Sequence, residues 1–429
     1  MTDRRTPRPL HGSPVTDRTH LSKRLIVLLA MISALGPSAT QILLPAVPVI
    51  RQDFDVSDDI AQLTLSLSMA AIAIGTLTYG PLSDKFGRRP IILLGLFICA
   101  AGSLLCAFAG TIELLVIGRF VQAFGAAVGL VLARAIIRDV YGPAESARVI
   151  ATLVMVMVVI PMFSPAVGGE LLIRYGWESI GTAFALFSLA MLFMAGFSLP
   201  ETLKEPVPFA GVGSMLRTFG ELLSSRAFSG YAFCVAFVSV VFFSFIAAGP
   251  EILVSVYGRP ANEYGYYFIM MPCGFMAGTW IARHYGLRLH IDRLMLIGMM
   301  IAIAGICLAF ALLLPGWRHP LALFAPVSLT VLGNGITLPN AQAAAINEFP
   351  KLAGSASGLT GFLQMALSAL AAQLVAAVYN GTAYPLMFIM LAASLLSLGS
   401  FRIGVGFGNT GLASNSRLRD QASGADSRS

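Results

Sequence analysis

Twelve long apolar stretches leave this chain few ways to fold. They cover residues 25–49, 60–82, 90–109, 112–137, 148–172, 180–199, 227–249, 264–285, 291–314, 320–342, 353–377 and 383–403. A helix needs about 20 apolar residues to cross a hydrocarbon core of about 30 Å. A soluble protein could not cover its own surface with this sequence, because only 11% of its 429 residues are charged, against about 25% in soluble domains. The deficit is explained if most of the surface faces lipid. The predicted fold is an all-α membrane protein with twelve transmembrane helices in two six-helix bundles.

The longest connection, 200–226, separates six stretches from six and reads as a linker on the membrane surface. The chain then divides into a tail (1–24), a first bundle (25–199), the central loop (200–226), a second bundle (227–403) and a second tail (404–429). The first apolar run starts only near Leu25 and is too long for the apolar core of a secretory leader, so residues 1–22 read as a tail. Lys and Arg set the orientation, since they collect on the cytoplasmic side. With both ends inside, the outer loops hold only Arg51, Arg174, Arg259 and Arg318, Arg119 and Arg134 lie in helix four, and 22 of the 28 basic residues face the cytoplasm.

These basic residues sit in loops and tails rather than on one helix face, which argues against a nucleic-acid partner. All five cysteines fall inside apolar runs with no metal-ligand spacing, and all five histidines lie in tails or loops. No metal, cofactor or obligate protein partner is expected, and no intramembrane nucleophile or acid pair suggests an enzyme. The expected partners are lipid and small hydrophobic molecules bound between the bundles near the midplane.

The most specific motif is Gly80-Pro81-Leu82-Ser83-Asp84-Lys85-Phe86-Gly87-Arg88-Arg89 between helices two and three. Gly80 lets two backbones approach, and Gly87 permits a tight turn. Asp84 is placed to meet the positive N-terminal end of a neighbouring helix. We expect that helix to be helix eleven, near Gly354, when the inner side is shut. Arg88 and Arg89 are expected in the headgroup region. An ordinary basic loop would explain the arginines but not the order of the glycines and the aspartate.

With this loop the chain resembles the major facilitator superfamily. Further elements narrow the resemblance to its Bcr/CflA drug:proton antiporter branch: Leu44-Pro45-Ala46-Val47-Pro48, Arg119-Phe120-Val121-Gln122, Arg138-Asp139, Ser164-Pro165-Ala166-Val167-Gly168-Gly169, Leu199-Pro200-Glu201-Thr202 and Leu338-Pro339-Asn340-Ala341. The resemblance implies export of drug-like compounds across a bacterial cytoplasmic membrane, powered by the proton gradient. It makes Gly80, Asp84, Gly87, Arg88 and Arg89 a conformational switch. Pro161, Pro165, Gly168 and Gly169 become a helix-five element of antiporters, with the two glycines packed on the other bundle. Arg119 becomes a coupling residue. Export or facilitated passage of an endogenous metabolite on the same fold is the alternative.

One position departs from the branch. Gln41 stands where relatives usually carry a helix-one aspartate, and glutamine cannot titrate. A titrating group must then lie elsewhere or be absent. Glu170 and Glu251 are the remaining acids on the outer side of the two bundles. For the cavity, Met155, Phe237, Phe242, Tyr267 and Met270 offer adaptable apolar contacts. Gln41, Gln122, Asn334 and Gln364 are polar groups that lipid would not tolerate, so they line the cavity or bridge helices.

Overall fold

A computed structural model describes residues 23–203, 211–286, 288–314, 319–349 and 352–405, apart from the side chains at positions 23, 141–159, 212, 214, 353 and 405. Helix one starts as α1 (Lys23–Gln41), passes through a 3₁₀ turn (Leu44–Ala46) and resumes as α2 (Val47–Asp53). Proline causes the interruption. Pro45 and Pro48 have no N–H to return to the carbonyls of Gln41 and Leu44, so the α-helical ladder cannot continue there.

The first bundle continues with α3 (Asp58–Phe86), α4 (Arg88–Ala107), α5 (Ile112–Tyr175) and α6 (Glu178–Ser198). The helix α7 (Val212–Ser224) occupies the central connection, with Leu222 buried against the second bundle. That bundle comprises α8 (Arg226–Ser255), α9 (Glu263–Phe268), α10 (Met270–Tyr285), α11 (Ile291–Leu313), α12 (Leu321–Glu348), α13 (Ala353–Ala377) and α14 (Tyr384–Val405). The described residues contain no strand.

Ten spans among the described residues are long and apolar enough to cross a membrane. The other two expected helices are also traceable. Helix eight is divided at Ile269 into α9 and α10. Pro272 lies just past the break and cannot donate to the Phe268 carbonyl. Helices four and five both belong to α5, which is helical throughout its 64 residues. It cannot be straight. Gly129 packs on the Ile32 carbonyl and Gly168 on the Ile42 carbonyl, ten residues apart on helix one. A straight helix would set those glycines about 58 Å apart, at 1.5 Å per residue. The chain therefore doubles back between them.

Within each bundle, small residues bring backbones together. This suits lipid, where packing rather than water exclusion drives helix association. A Cβ at Gly125 of α5 would strike the Cys99 backbone of α4, and one at Gly333 of α12 would strike the Gly298 carbonyl of α11.

The bundles are joined at one end by close contacts and polar bonds. We call it the acidic end, because Asp53, Asp55, Asp58 and Asp59 lie there. A Cβ on Gly265 of α9 would sit 2.5 Å from the Ala166 Cα of α5. Ser66 of α3 donates to Gln373 of α13 at 3.0 Å, and Gln373 donates to the Asp59 carbonyl at 2.9 Å. An apolar seam follows, joining Leu65 and Met69 of α3 to Phe245 and Phe268 of the second bundle. At the opposite, basic end, among the described residues nothing beyond α13 itself lies within 4 Å of where a Cβ on Gly354, Gly358 or Gly361 would stand.

Gly125→Val should abolish the monodisperse peak on size-exclusion chromatography of detergent-extracted protein. Overpacking against backbone costs about 1–3 kcal/mol or more. Gly110→Val, at a site with no atom within 4 Å, should leave that peak intact.

Candidate functional site

The deepest charge in the first bundle is Arg119 on α5, which is 3% exposed. An arginine at the centre of a membrane helix costs about 2.5–3.5 kcal/mol on insertion scales. Its Nε donates to the Thr64 carbonyl at 3.3 Å, and its Nη1 donates to the Gln122 side-chain oxygen. Gln122 in turn donates to Ser103 at 2.9 Å, and Ser103 to the Cys99 carbonyl at 2.7 Å. This polar chain ties α3, α4 and α5 together with neutral acceptors only. Gln122 therefore bridges helices.

Gln41 is 7% exposed at the end of α1, where the prolines halt the helix. Next to it, the Ile42 carbonyl receives Gly168 of the helix-five element. Gly168 packs on helix one of its own bundle, whereas the sequence suggested the other bundle for both glycines. Gly169 does face the other bundle, where its Cβ would lie 3.1 Å from the Asn262 Cα. Proline at 45 leaves the Ile42 region outside a regular helix, so its carbonyl is free to take that contact. Pro161 and Pro165 are both buried on the same limb.

The two acids proposed from sequence differ. Glu170 is exposed, paired with Arg174 at 3.2 Å on its own helix and accepting from Tyr266 of the second bundle at 3.1 Å. The Glu251 side chain is only 13% exposed. It pairs across the interface with Arg51 at 3.0 Å, while Arg51 also holds Asp58 at 2.6 Å. Ser255 donates to Glu251 at 2.9 Å and stands 2.9 Å from the Tyr379 hydroxyl. Arg51 entered the sequence reading only as an outer basic residue. Its role emerges once residues 200 positions apart are brought together, which no local pattern reveals.

At the basic end, Gly87 adopts φ 101°, in the region that favours glycine. Arg88 is buried, unlike the headgroup position expected for it. Its Nε donates to Asp139 at 3.0 Å, and its Nη1 contacts Asp84 and Ser83, each at 2.6 Å. Three neighbouring acceptors hold the guanidinium inside the protein. Arg89 stays exposed and donates to the Gly196 carbonyl at 2.6 Å. In this conformation Asp84 pairs within its own loop, and the Gly354 end of α13 stands open.

The carboxylate on a helix N-terminus here is Glu201. It accepts from the backbone N–H groups of Arg88 and Arg89, the first residues of α4, at 3.0 and 3.1 Å. It also accepts from Thr202 and Leu203, both at 2.9 Å. Partial burial pushes its carboxyl upward, but these four donors together hold it below its ordinary value of 4.5. The acid in Leu-Pro-Glu-Thr was a usable signal, since it follows helix six on the same side as the motif loop. Its partner was not readable.

The cavity candidates fall into groups. Phe242, Tyr267 and Met270 are half-buried against the apolar seam. Tyr267 lies 5.3 Å from the ring of Phe324, and the Met270 carbonyl accepts from Ser328 at 2.7 Å. Phe237 stacks on Phe233 at 6.3 Å. Gln364 accepts from Gln342 at 3.2 Å, linking α13 to α12. Asn334 is buried and lies 3.5 Å from the Val238 carbonyl, within its own bundle. The side chain of Met155 lies outside the described residues.

This architecture of two helical bundles in contact at one end matches known transporters. The family model of the Major Facilitator Superfamily matches residues 26–372. The chain belongs to that superfamily and is a multi-pass membrane transporter. It is 30% identical to a bicyclomycin resistance protein homolog of Haemophilus influenzae, over 87% of this chain and 94% of that one. It is 31% identical to the MFS-type transporter YdgK of Bacillus subtilis, with 88% and 94% covered, and 28% identical to the multidrug resistance protein MdtL of Escherichia coli over the same shares. The crystal structure of a D-xylose–proton symporter superposes with a TM-score of 0.69 at 15% identity, covering 88% of this chain and 97% of that one, a likeness of fold.

Glu201→Gln should lower the thermal unfolding midpoint of the purified protein at pH 7. A carboxyl whose folded value is depressed stabilises above its ordinary value and loses that contribution as pH falls through the folded one. The gap between parent and variant should therefore narrow as the pH is taken below 4.5. A gap that stays constant to pH 3.5 would show that Glu201 does not act through its charge.

Proposed function

We propose that this chain exports drug-like hydrophobic compounds by alternating access, in exchange for protons, across a bacterial cytoplasmic membrane. One observation carries the mechanism. The Arg51–Glu251 ion pair fastens the bundles at the acidic end, while the glycines of α13 at the basic end have no neighbour among the described residues. Rocking the bundles about the seam would exchange these two conditions. In the proposed orientation the acidic end faces outward, which the 22-to-4 distribution of basic residues supports, and the state described is then open to the cytoplasm. The resistance proteins among the relatives support the substrate class. The half-buried Phe242, Tyr267 and Met270 along the seam suit varied greasy ligands.

Glu251 is the better of the two candidate carboxylates. Opening the acidic end must separate it from Arg51 and expose it to water on that side. Glu170 is exposed already. Gln41 favours a second reading, passage of a metabolite with no proton coupling, since residues 25–49 of helix one contain no Asp or Glu.

Three measurements test these points. Expression in an efflux-deficient host should raise resistance to several unrelated hydrophobic compounds. No shift for any compound would favour the metabolite reading. In proteoliposomes with a pH dye, substrate should evoke proton flux that is lost in Arg119→Ala and weakened in Glu251→Gln, with Glu170→Gln closer to the parent. Absence of flux in the parent would remove proton coupling. In a variant without native cysteines, a cysteine at Asp55 should react with an impermeant thiol reagent from outside and one at Lys204 should not.

A further inference from the structure

The two bundles carry matching loops with opposite charge balance. Each follows a helix that ends on a glycine, α3 on Gly87 and α10 on Gly286. Three residues before that glycine the first loop has Asp84 and the second Arg283, and two residues after it stand Arg89 and Arg288. The first loop is neutralised from within, since Arg88 is held by Asp84 and Asp139. The second is not. Asp292, at the start of α11, is buried, accepts from the Tyr231 hydroxyl at 3.0 Å and lies 3.3 Å from His290 Nδ1. The side chains of Arg283, Arg288 and Arg293 are exposed and have no ion pair or hydrogen bond among the described residues. Ala282 and Leu294 share one buried cluster, which sets Arg283 and Arg293, their neighbours in the chain, at one level of the bundle.

The face of α10 that bears this charge is turned away from the protein. Gly274 and Gly278 pack on the Ser328 and Leu332 carbonyls of α12, and Ala282 continues that side. The opposite side is exposed at Cys273, Met276, Ala277, Trp280, Arg283 and His284, a spacing of three and four residues that makes one stripe. Trp280 is 65% exposed, and its indole stacks on His284 with ring centroids 5.5 Å apart. The stripe passes from apolar residues through an indole to cations within one helical turn. A phospholipid presents its acyl chain, its interfacial level and its phosphate in that order.

We propose that this stripe, together with Arg288 and Arg293, seats the headgroup of one anionic phospholipid, with the phosphate against the arginines and the interfacial region against Trp280. A zwitterionic headgroup would bring its own ammonium group to three cations that lack a counter-charge. The site does not depend on proton coupling, on the compounds exported or on which end of the molecule faces outward.

Trp280 provides the readout. Its emission is the difference between each full-length protein and its Trp280→Phe counterpart, reconstituted in phosphatidylcholine bilayers. Brominated phosphatidylglycerol should quench that emission at a several-fold lower mole fraction than brominated phosphatidylcholine does. Arg283→Gln and Arg288→Gln should each reduce this preference about fivefold, while Arg283→Lys retains it. Arg24→Gln removes an exposed cation at the same end of the other bundle and should leave the preference unchanged. Equal quenching by the two brominated lipids in the parent would overturn the proposal. So would an equal loss of preference in Arg24→Gln, which would show attraction to the charged surface as a whole rather than a seat beside Trp280.

Discussion

In a hydrocarbon solvent a helix gains nothing by hiding leucine, because the surroundings are as apolar as its neighbour. What holds such helices together is how closely two backbones can come. The placement of glycine then governs much else in this molecule. Gly125 seats α5 on α4, Gly129 and Gly168 seat its two limbs on helix one, and Gly265 brings the second bundle against the first. The polar devices, Arg119 with Gln122 and Arg51 with Glu251, are positioned by these contacts.

Much of the fold was legible in the sequence, because apolar length and basic asymmetry are properties of single segments. The twelve stretches and the reversal between helices four and five need only such local information. The break in helix one could be read from two prolines three residues apart. The site was legible only in part. Arg119 stood out because a charge in an apolar run is conspicuous, and Glu251 because acids are scarce. Arg51 and Glu201 did not stand out, since each has an unremarkable neighbourhood and acquires its role from a distant segment. Glycine order in the motif loop pointed to tight packing without saying which chain would fill the space at Gly87. That chain is the segment after helix six, whose Glu201 oxygen lies 2.6 Å from where a Cβ would stand.

The motif loop thus carries two separate electrostatic arrangements. Glu201 caps the start of α4 and joins the loop to helix six, all within the first bundle. Arg88 gathers Asp84, Asp139 and Ser83 around itself. The first needs no conformational change to persist. In the second, Asp84 is the more exposed member, at 46% against 20% for Asp139, so it can leave with the least disturbance to the rest.

The two ends of the molecule present different surfaces. At the acidic end, closure requires Arg51 and Glu251 to adopt one mutual geometry, and long charged side chains lose rotamer freedom of about 1.5–2 kcal/mol each when fixed. At the basic end, Gly354, Gly358 and Gly361 follow one another on a single face of α13, and a surface without side chains has no such freedom to lose. The Arg51–Glu251 pair is therefore weakened by dissolved salt, whereas the glycine face carries no charge to screen. The hold of Arg51 on Glu251 then depends on the ionic strength of the medium bathing the acidic end, independently of any substrate.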